Sequence, residues 1–194
     1  MVNYELCIMN YELNIRKATI NDASLIARVV AMAIGEEGIR HYCGDDFQSV
    51  LEEIARLENS QYSYRNTIIA EVDGKPAGAA VAYDGACLYQ FRDVTLKHIF
   101  DRTGKIHNIE DETDASEVYL DSIAVMSEYR GCGIGKKLLQ ALKEIAFKEY
   151  GKPLGLLVDF ENPDAERLYK SVGFERVNVK DFLGHKMWHL VVRQ

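Results

Sequence analysis

The segment that most restricts this chain is the joint Arg130-Gly131-Cys132-Gly133-Ile134-Gly135, which links an apolar strand to an amphipathic helix. The strand reads Val118 to Val125, and the apolar periodicity beyond the joint predicts a helix from about Gly133 to Tyr150. Three glycines in five positions leave backbone N–H groups bare where a helix N-terminus adds its partial positive charge. Such a turn suits a phosphate, and Lys136 and Lys137 open the helix beside it. A tight turn whose glycines only supply positive φ would look the same in isolation. Two familiar phosphate loops do not fit. A P-loop needs a glycine and a hydroxyl where this chain has Arg130 and Lys137, and a dinucleotide fingerprint needs glycine at Lys136.

A second pattern starts 32 residues on (162 − 130) and follows an apolar strand, Leu154 to Val158. Asn162 suits an N-cap, Pro163 the first helical position and Gly173 the helix exit. Taken alone, Asn162 to Phe174 is a short capped helix with Leu168 and Tyr169 on its apolar face.

Together the two segments resemble the GNAT family of acetyl-CoA-dependent N-acetyltransferases. The turn matches the family's Arg/Gln-x-x-Gly-x-Gly/Ala loop at Arg130, Gly133 and Gly135. The second segment matches Asn-x-x-Ala-x-x-Leu-Tyr-x-x-x-Gly-Phe at Asn162, Ala165, Leu168, Tyr169, Gly173 and Phe174. The detailed likeness spans Val118 to Phe174, and the order of elements fits from about Leu13 onward. The resemblance implies an α+β fold, a three-layer α/β/α domain around a mixed, mostly antiparallel sheet. That sheet is expected to splay open between the motif strand and Leu154–Val158, with acetyl-CoA in the cleft. The implied reaction is direct acetyl transfer from acetyl-CoA, the co-substrate, to a primary amine in a ternary complex, without a metal. A polyamine, an amino-acid-like amine, a protein lysine and a protein N-terminus are all open as acceptors. The rival reading is a non-catalytic CoA-binding module of the same fold. A homodimer is what the resemblance implies for assembly.

N-acetylation needs a neutral amine, a polarised thioester carbonyl and a stabilised thiolate. A lysine-like amine has a pKa of ~10.4, so a carboxylate must help to remove its proton. Asp121 leads, because it alternates away from Leu120 on the motif strand. In polyamine-acetylating relatives the stretch resembling Tyr119-Leu120-Asp121-Ser122 carries a glutamate at this position. Glu117 and Glu112 are further candidates, and a carboxylate that only fixes a local loop is the other reading of Asp121. The resemblance also implies that backbone amides near Ile123, Ala124 and Val125 bind the pantetheine arm, with a bulge aiming one amide at the acetyl carbonyl. By the same likeness Arg130, Gly131, Cys132, Gly133, Ile134, Gly135 and Lys136 hold the pyrophosphate, Asn162 contacts CoA, and Tyr169 acts as acid toward the sulfur.

Elsewhere the chain reads as one domain, residues 13–194. A strand at Leu13–Ala18 precedes a helix capped by Asn21 or Asp22 and running through Ala33. A second helix spans Phe47–Leu57, and the likeness makes Gly35–Tyr42 the place to look for acceptor contacts. Thr67–Val72 and Ala77–Tyr83 form a hairpin about Asp73-Gly74-Lys75, both strands apolar enough for burial on two faces. Leu88–Phe100 is helical. The acidic stretch 108–117 is either a solvated loop or a lid that attracts an amine. His185 and His189 fall on a terminal strand, ~13 Å apart and too distant to share a metal. Trp188 is expected to pack within that strand.

The net charge of −7 argues against general nucleic-acid binding and leaves a cationic acceptor open. No apolar run approaches the ~20 residues of a membrane span, and residues 1–12 lack the basic flank and apolar core of a secretory signal. Those twelve read as an extension, poorly ordered or strand-like, in which Asn3-Tyr4-Glu5-Leu6 recurs as Asn10-Tyr11-Glu12-Leu13. Cysteines 7, 43, 87 and 132 show no paired spacing, which suits reduced thiols in a cytoplasm.

Overall fold

A computed structural model describes residues 12–194, so the expected extension lies outside the described residues up to position 11. Seven strands build one sheet: β1 (Leu13–Lys17), β2 (Thr67–Val72), β3 (Lys75–Asp84), β4 (Val118–Val125), β5 (Leu154–Asp159), β6 (Glu175–Phe182) and β7 (His185–Val192). Their order is β1-β2-β3-β4-β5-β7-β6. β4 and β5 run parallel, while the other neighbouring pairs are antiparallel. Among the described residues six α-helices flank it: α1 (Ala23–Ile34), α2 (Glu36–Cys43), α3 (Phe47–Arg56), α4 (Leu88–Thr103), α5 (Ile134–Tyr150) and α6 (Pro163–Lys170).

Alternation along the central strands makes the three layers. Ile68, Ala70, Ala80, Leu120 and Leu156 turn to one side, where α5 packs Leu138, Leu139, Leu142 and Ala146 on them. The neighbours Ile69 and Val81 turn to the other side, toward α1, where Val81 shares a core with Ile26, Val30, Leu51 and Ile54 of α1 and α3. Both faces of the central strands are covered, which is why β2 and β3 read as continuous apolar runs.

Element ends differ from expectation for local reasons. Asp73 and Gly74 both take positive φ (49° and 73°), a two-residue hairpin turn, so β3 starts at Lys75 opposite Val72 rather than at Ala77. Gly35 (φ 90°) breaks the first helix, and Glu36–Cys43 becomes a helix of its own. α4 runs past Phe100 to Thr103 and closes on left-handed Gly104. Inserting β7 between β5 and β6 completes the sheet, and Trp188 stacks on Phe160 with ring centroids 4.3 Å apart.

The feature that positions the site is how little β4 and β5 share. They pair only at Val118–Leu154, Tyr119–Gly155 and Leu120–Leu156, then part. Glu117 sits at the start of this short ladder, buried, accepting from Thr113 Oγ1 at 2.8 Å and lying 2.9 Å from His189 Nε2. Its carboxylate fills the space over Gly155, where an added Cβ would come within 2.0 Å of Oε2. Gly155→Ala is therefore expected to lower stability by about 1–3 kcal/mol, as overpacking does. Urea unfolding should show a reduced midpoint at unchanged m-value, with a smaller loss in a Glu117→Ala background.

Candidate active site

The cleft forms where the two parallel strands separate. Its cavity, about 700 Å³, is lined by Leu120, Asp121 and Ile123 of β4, Leu156 to Asp159 of β5, and Asn162 and Tyr169 at α6. Ile34 lines it too, with Gly38, His41 and Tyr42 from Gly35–Tyr42, the stretch where acceptor contacts were expected. Beyond Leu120 the backbone of β4 has no partner on its β5 side. Unpaired amides on an otherwise complete sheet form a ready edge for an extended amide-bearing chain. On its other side β4 bulges: Ala82 pairs with Leu120 and Val81 with Ser122, leaving Asp121 as the extra residue.

Asp121 lines both this cleft and a smaller side chamber of about 110 Å³. Ser122 Oγ donates to its Oδ1 at 2.8 Å. Burial first, and then the nearby Glu112 carboxylate, raise its carboxyl from the ordinary value to about 7, against the opposing Ser122 hydrogen bond.

Glu112 explains the acidic loop. Its Oε1 accepts from Tyr83 OH and Gln61 Nε2, both at 2.8 Å, and its Oε2 is ion-paired with Arg92. Arg92 also reaches Asp111 Oδ1 at 2.8 Å and the carbonyls of Ile109 (3.1 Å) and Glu110 (3.0 Å). One buried guanidinium thus pins four consecutive loop residues beside the chamber, and removing a partner of such a buried pair is strongly destabilising. The loop is solvated only in part: Glu110, Asp111 and Asp114 are exposed, while Glu112, Thr113 and Glu117 are buried. Arg92 escaped the sequence reading, although Leu88, Arg92, Thr95 and Ile99 fall at helical spacing on one buried face.

The glycine turn closes the other end of β4. Gly131 and Gly133 have φ of 81° and 78°, and Gly133 has open space where a Cβ would stand. Gly135 packs closely, since its added Cβ would lie 3.3 Å from Leu168 of α6. Ile134 is buried and anchors α5, leaving backbone to face outward. Arg130 Nε donates to the Val125 carbonyl at 3.1 Å, and Lys136 borders the turn's own cavity of about 280 Å³ together with Arg130, Val125 and the three glycines. Bare amides, a helix N-terminus and a lysine fit a pyrophosphate.

The remaining expected residues separate into groups. Asn162 lines the cleft while its Oδ1 caps α6 at Ala165 N, 3.1 Å away. Tyr169 lines the cleft too, and burial pushes its phenol up to about 12. Ala124 faces away, toward the cluster of Val29, Ile69, Ala79 and Met126, so only its backbone could serve the cleft. Glu117 borders neither cavity and is held by Thr113 and His189. Cys43 and Cys87 carry free thiols. His185 pairs with Asp159 at 3.0 Å and His189 with Glu117, so the two histidines serve different places. Among the described residues no cluster of three His, Cys, Asp or Glu side chains could hold a metal, and no helix is long and apolar enough to cross a membrane.

Two outcomes follow from this geometry. Gly133→Asp, which sets a carboxylate and a strained φ against the turn, should abolish acetyl-CoA binding in calorimetric titration while leaving the folded signal intact. Asp121 should also make stability fall as pH rises. The folded carboxyl keeps its proton up to about 7, while the unfolded one releases it near 3.9. The native state therefore binds more protons between these values, and stability drops across that window. Urea midpoints at pH 5 and pH 8 should differ less in Asp121→Asn than in the unaltered chain.

Comparison with known proteins agrees with this architecture. The family model described as Acetyltransferase (GNAT) family matches residues 36–174, more than half of the chain. A thialysine N-epsilon-acetyltransferase from Bos taurus is 27% identical over 179 residues, spanning 90% of this chain and 88% of its own. A crystal structure of an acetyltransferase, 35% identical, superposes with a TM-score of 0.77 over 92% of this chain and 97% of its own. An N-acetyltransferase from Staphylococcus aureus Mu50 does so at 0.72 with 26% identity, over 92% of this chain and 100% of its own. An aminoglycoside acetyltransferase in complex with coenzyme A, 19% identical, shares the fold at 0.61, over 93% of this chain and 94% of its own. With its splayed parallel pair, glycine turn and capped Asn162 helix, the chain belongs to the GNAT family of acetyltransferases.

Proposed function

We propose that this acetyltransferase moves an acetyl group from acetyl-CoA to the primary amine of a small molecule, with Asp121 as the base. The observation that carries the reading is the position of Asp121. It is the bulged residue of β4, at the point where the cleft meets the side chamber. When bound, acetyl-CoA supplies an activated thioester carbonyl and a thiolate leaving group.

The chain's own groups meet the remaining needs. A carboxylate at its ordinary value of 3.8 would take a proton from an amine of pKa ~10.4 at an equilibrium cost of more than six orders of magnitude. With the carboxyl at about 7, the cost falls to about three. The free amides of β4 beyond Leu120 hold the pantetheine arm and place one donor at the carbonyl oxygen, worth ~10²–10³ in rate. Arg130, Lys136 and the bare amides of Gly131 to Gly135 grip the pyrophosphate. Tyr169, whose phenol stays protonated far above neutral pH, donates to the departing sulfur from the α6 wall. Glu117, fixed away from both cavities, has no part in the proton transfer.

A small acceptor is favoured because the loop from Lys105 to Glu117, tied down by Arg92, closes the chamber side of Asp121. Relatives named for thialysine acetylation are of matching length, which supports the same choice. A cytoplasmic location, where acetyl-CoA is made and used, belongs to this reading.

Release of free CoA, followed with a thiol reagent across a panel of small amines and N-terminal peptides, tests it. Acceptor-dependent release with small amines is expected, and release only with peptides would contradict the acceptor class. The acid limb of kcat/KM should fall near pH 7, and Asp121→Asn should cost about 10²–10⁴-fold and erase that limb. An unchanged limb in the variant would remove Asp121 as the base.

A further inference from the structure

We propose that the acceptor is a primary monoamine with an unbranched apolar body of about four to six carbons, its nitrogen at Asp121 and its body in the side chamber. This narrows the amine-acetylation reading above and rests on it.

The chamber opens off the cleft through residues that border both spaces, Asp121, Ile34, Tyr42 and Leu183. An amine held between Asp121 and the thioester therefore has the chamber directly behind it. Much of its wall is apolar, made by Ile39, Leu96, Ile99, Ile109 and Phe182 with Cys43 beside them, while Gln61, Tyr62, Thr95 and Tyr119 add neutral polar groups and no charge. Burial pushes the Cys43 thiol up to about 11, so it adds no charge. At about 110 Å³ the space is smaller than the ~150 Å³ apolar cavity that takes benzene, so a short chain fits better than a ring.

Glu112 is the other carboxylate on this wall, and it is already spent. Tyr83 and Gln61 bond one oxygen at 2.8 Å, and Arg92 pairs with the other. Gln61 gives its side-chain nitrogen to Glu112 and its backbone N–H to Thr95 Oγ1 at 3.0 Å, and its side chain brings no charge. A diamine or polyamine would bring a second ammonium against Ile39, Leu96 and Ile99 with no unpaired carboxylate to receive it. Stripping water from such a charge without a partner is costly. The zwitterionic head of lysine or thialysine meets the same obstacle.

The test compares kcat/KM at pH 8 for ethylamine, butylamine, hexylamine, 1,4-diaminobutane, 1,6-diaminohexane and lysine, using the full chain and saturating acetyl-CoA. We expect a rise of about three- to four-fold per added methylene until the chamber is full. Each diamine should fall at least about ten-fold below the monoamine of equal carbon number. Leu96→Phe should flatten the chain-length dependence, lowering hexylamine more than ethylamine. Robust turnover with diamines or lysine preferred, or no dependence on chain length, would overturn the chamber assignment and leave amine acetylation standing. Failure of every amine to accelerate CoA release would overturn the amine reading, and this inference with it.

Discussion

The parallel ladder between β4 and β5 ends after Leu120 and Leu156, and the site exists because it ends there. A sheet interior normally leaves no backbone group for a ligand, since each N–H and C=O is committed to a neighbouring strand. Here three residue pairs hold the strands together and the rest of β4 is released. Gly155 and Glu117 fix the closed end, because the carboxylate occupies the volume a side chain at 155 would need. The same strand delivers the bulged Asp121 at the fork and the glycine turn at its far end. The spacing between the proposed base and the glycine turn is thus set by one rigid element.

The second constraint is electrostatic. Two carboxylates close to one another in a poorly hydrated space cannot both be comfortable as anions. Arg92 is ion-paired with one of the two. It compensates Glu112 and leaves Asp121 with burial and a like-charged neighbour, so Asp121 is the one displaced upward. A carboxyl near 7 is a poor structural anion and a good proton acceptor. The arrangement destabilises the fold slightly in the place where the chemistry needs it. The same ion pair occupies the Glu112 carboxylate on the chamber wall, so the proposed proton removal and the proposed acceptor choice both depend on it.

Much of this was legible in the residues. Periodicity and caps marked α5 and α6, alternation marked the buried strands, and the two spaced motifs placed the cleft between β4 and β5. Local rules reached the glycines because φ and helix-start chemistry are local properties. The unreadable parts depend on contacts distant in sequence. The bulge at Asp121 arises because its neighbours Leu120 and Ser122 pair with Ala82 and Val81, some forty residues earlier. The acidic run read as either a solvated loop or a lid, and six of its ten residues are exposed. What draws Glu112 inward is a single arginine on α4, 20 residues away, whose charge disguised its place on an apolar helix face. Glu117, a further candidate base behind Asp121, is enclosed by Thr113, Gly155 and His189. Helix α2 was hidden because Gly35 splits one apolar pattern into two helices.

Amide hydrogen exchange on the free chain and with coenzyme A bound tests the central claim most directly. If the open edge of β4 is the receiving surface, amides at Ile123 to Val125 and across Gly131 to Gly135 should gain protection, while Val118 to Leu120, already paired to β5, should change little. Protection that bypasses Ile123–Val125, or that appears only on distant surfaces such as β6, would contradict the account.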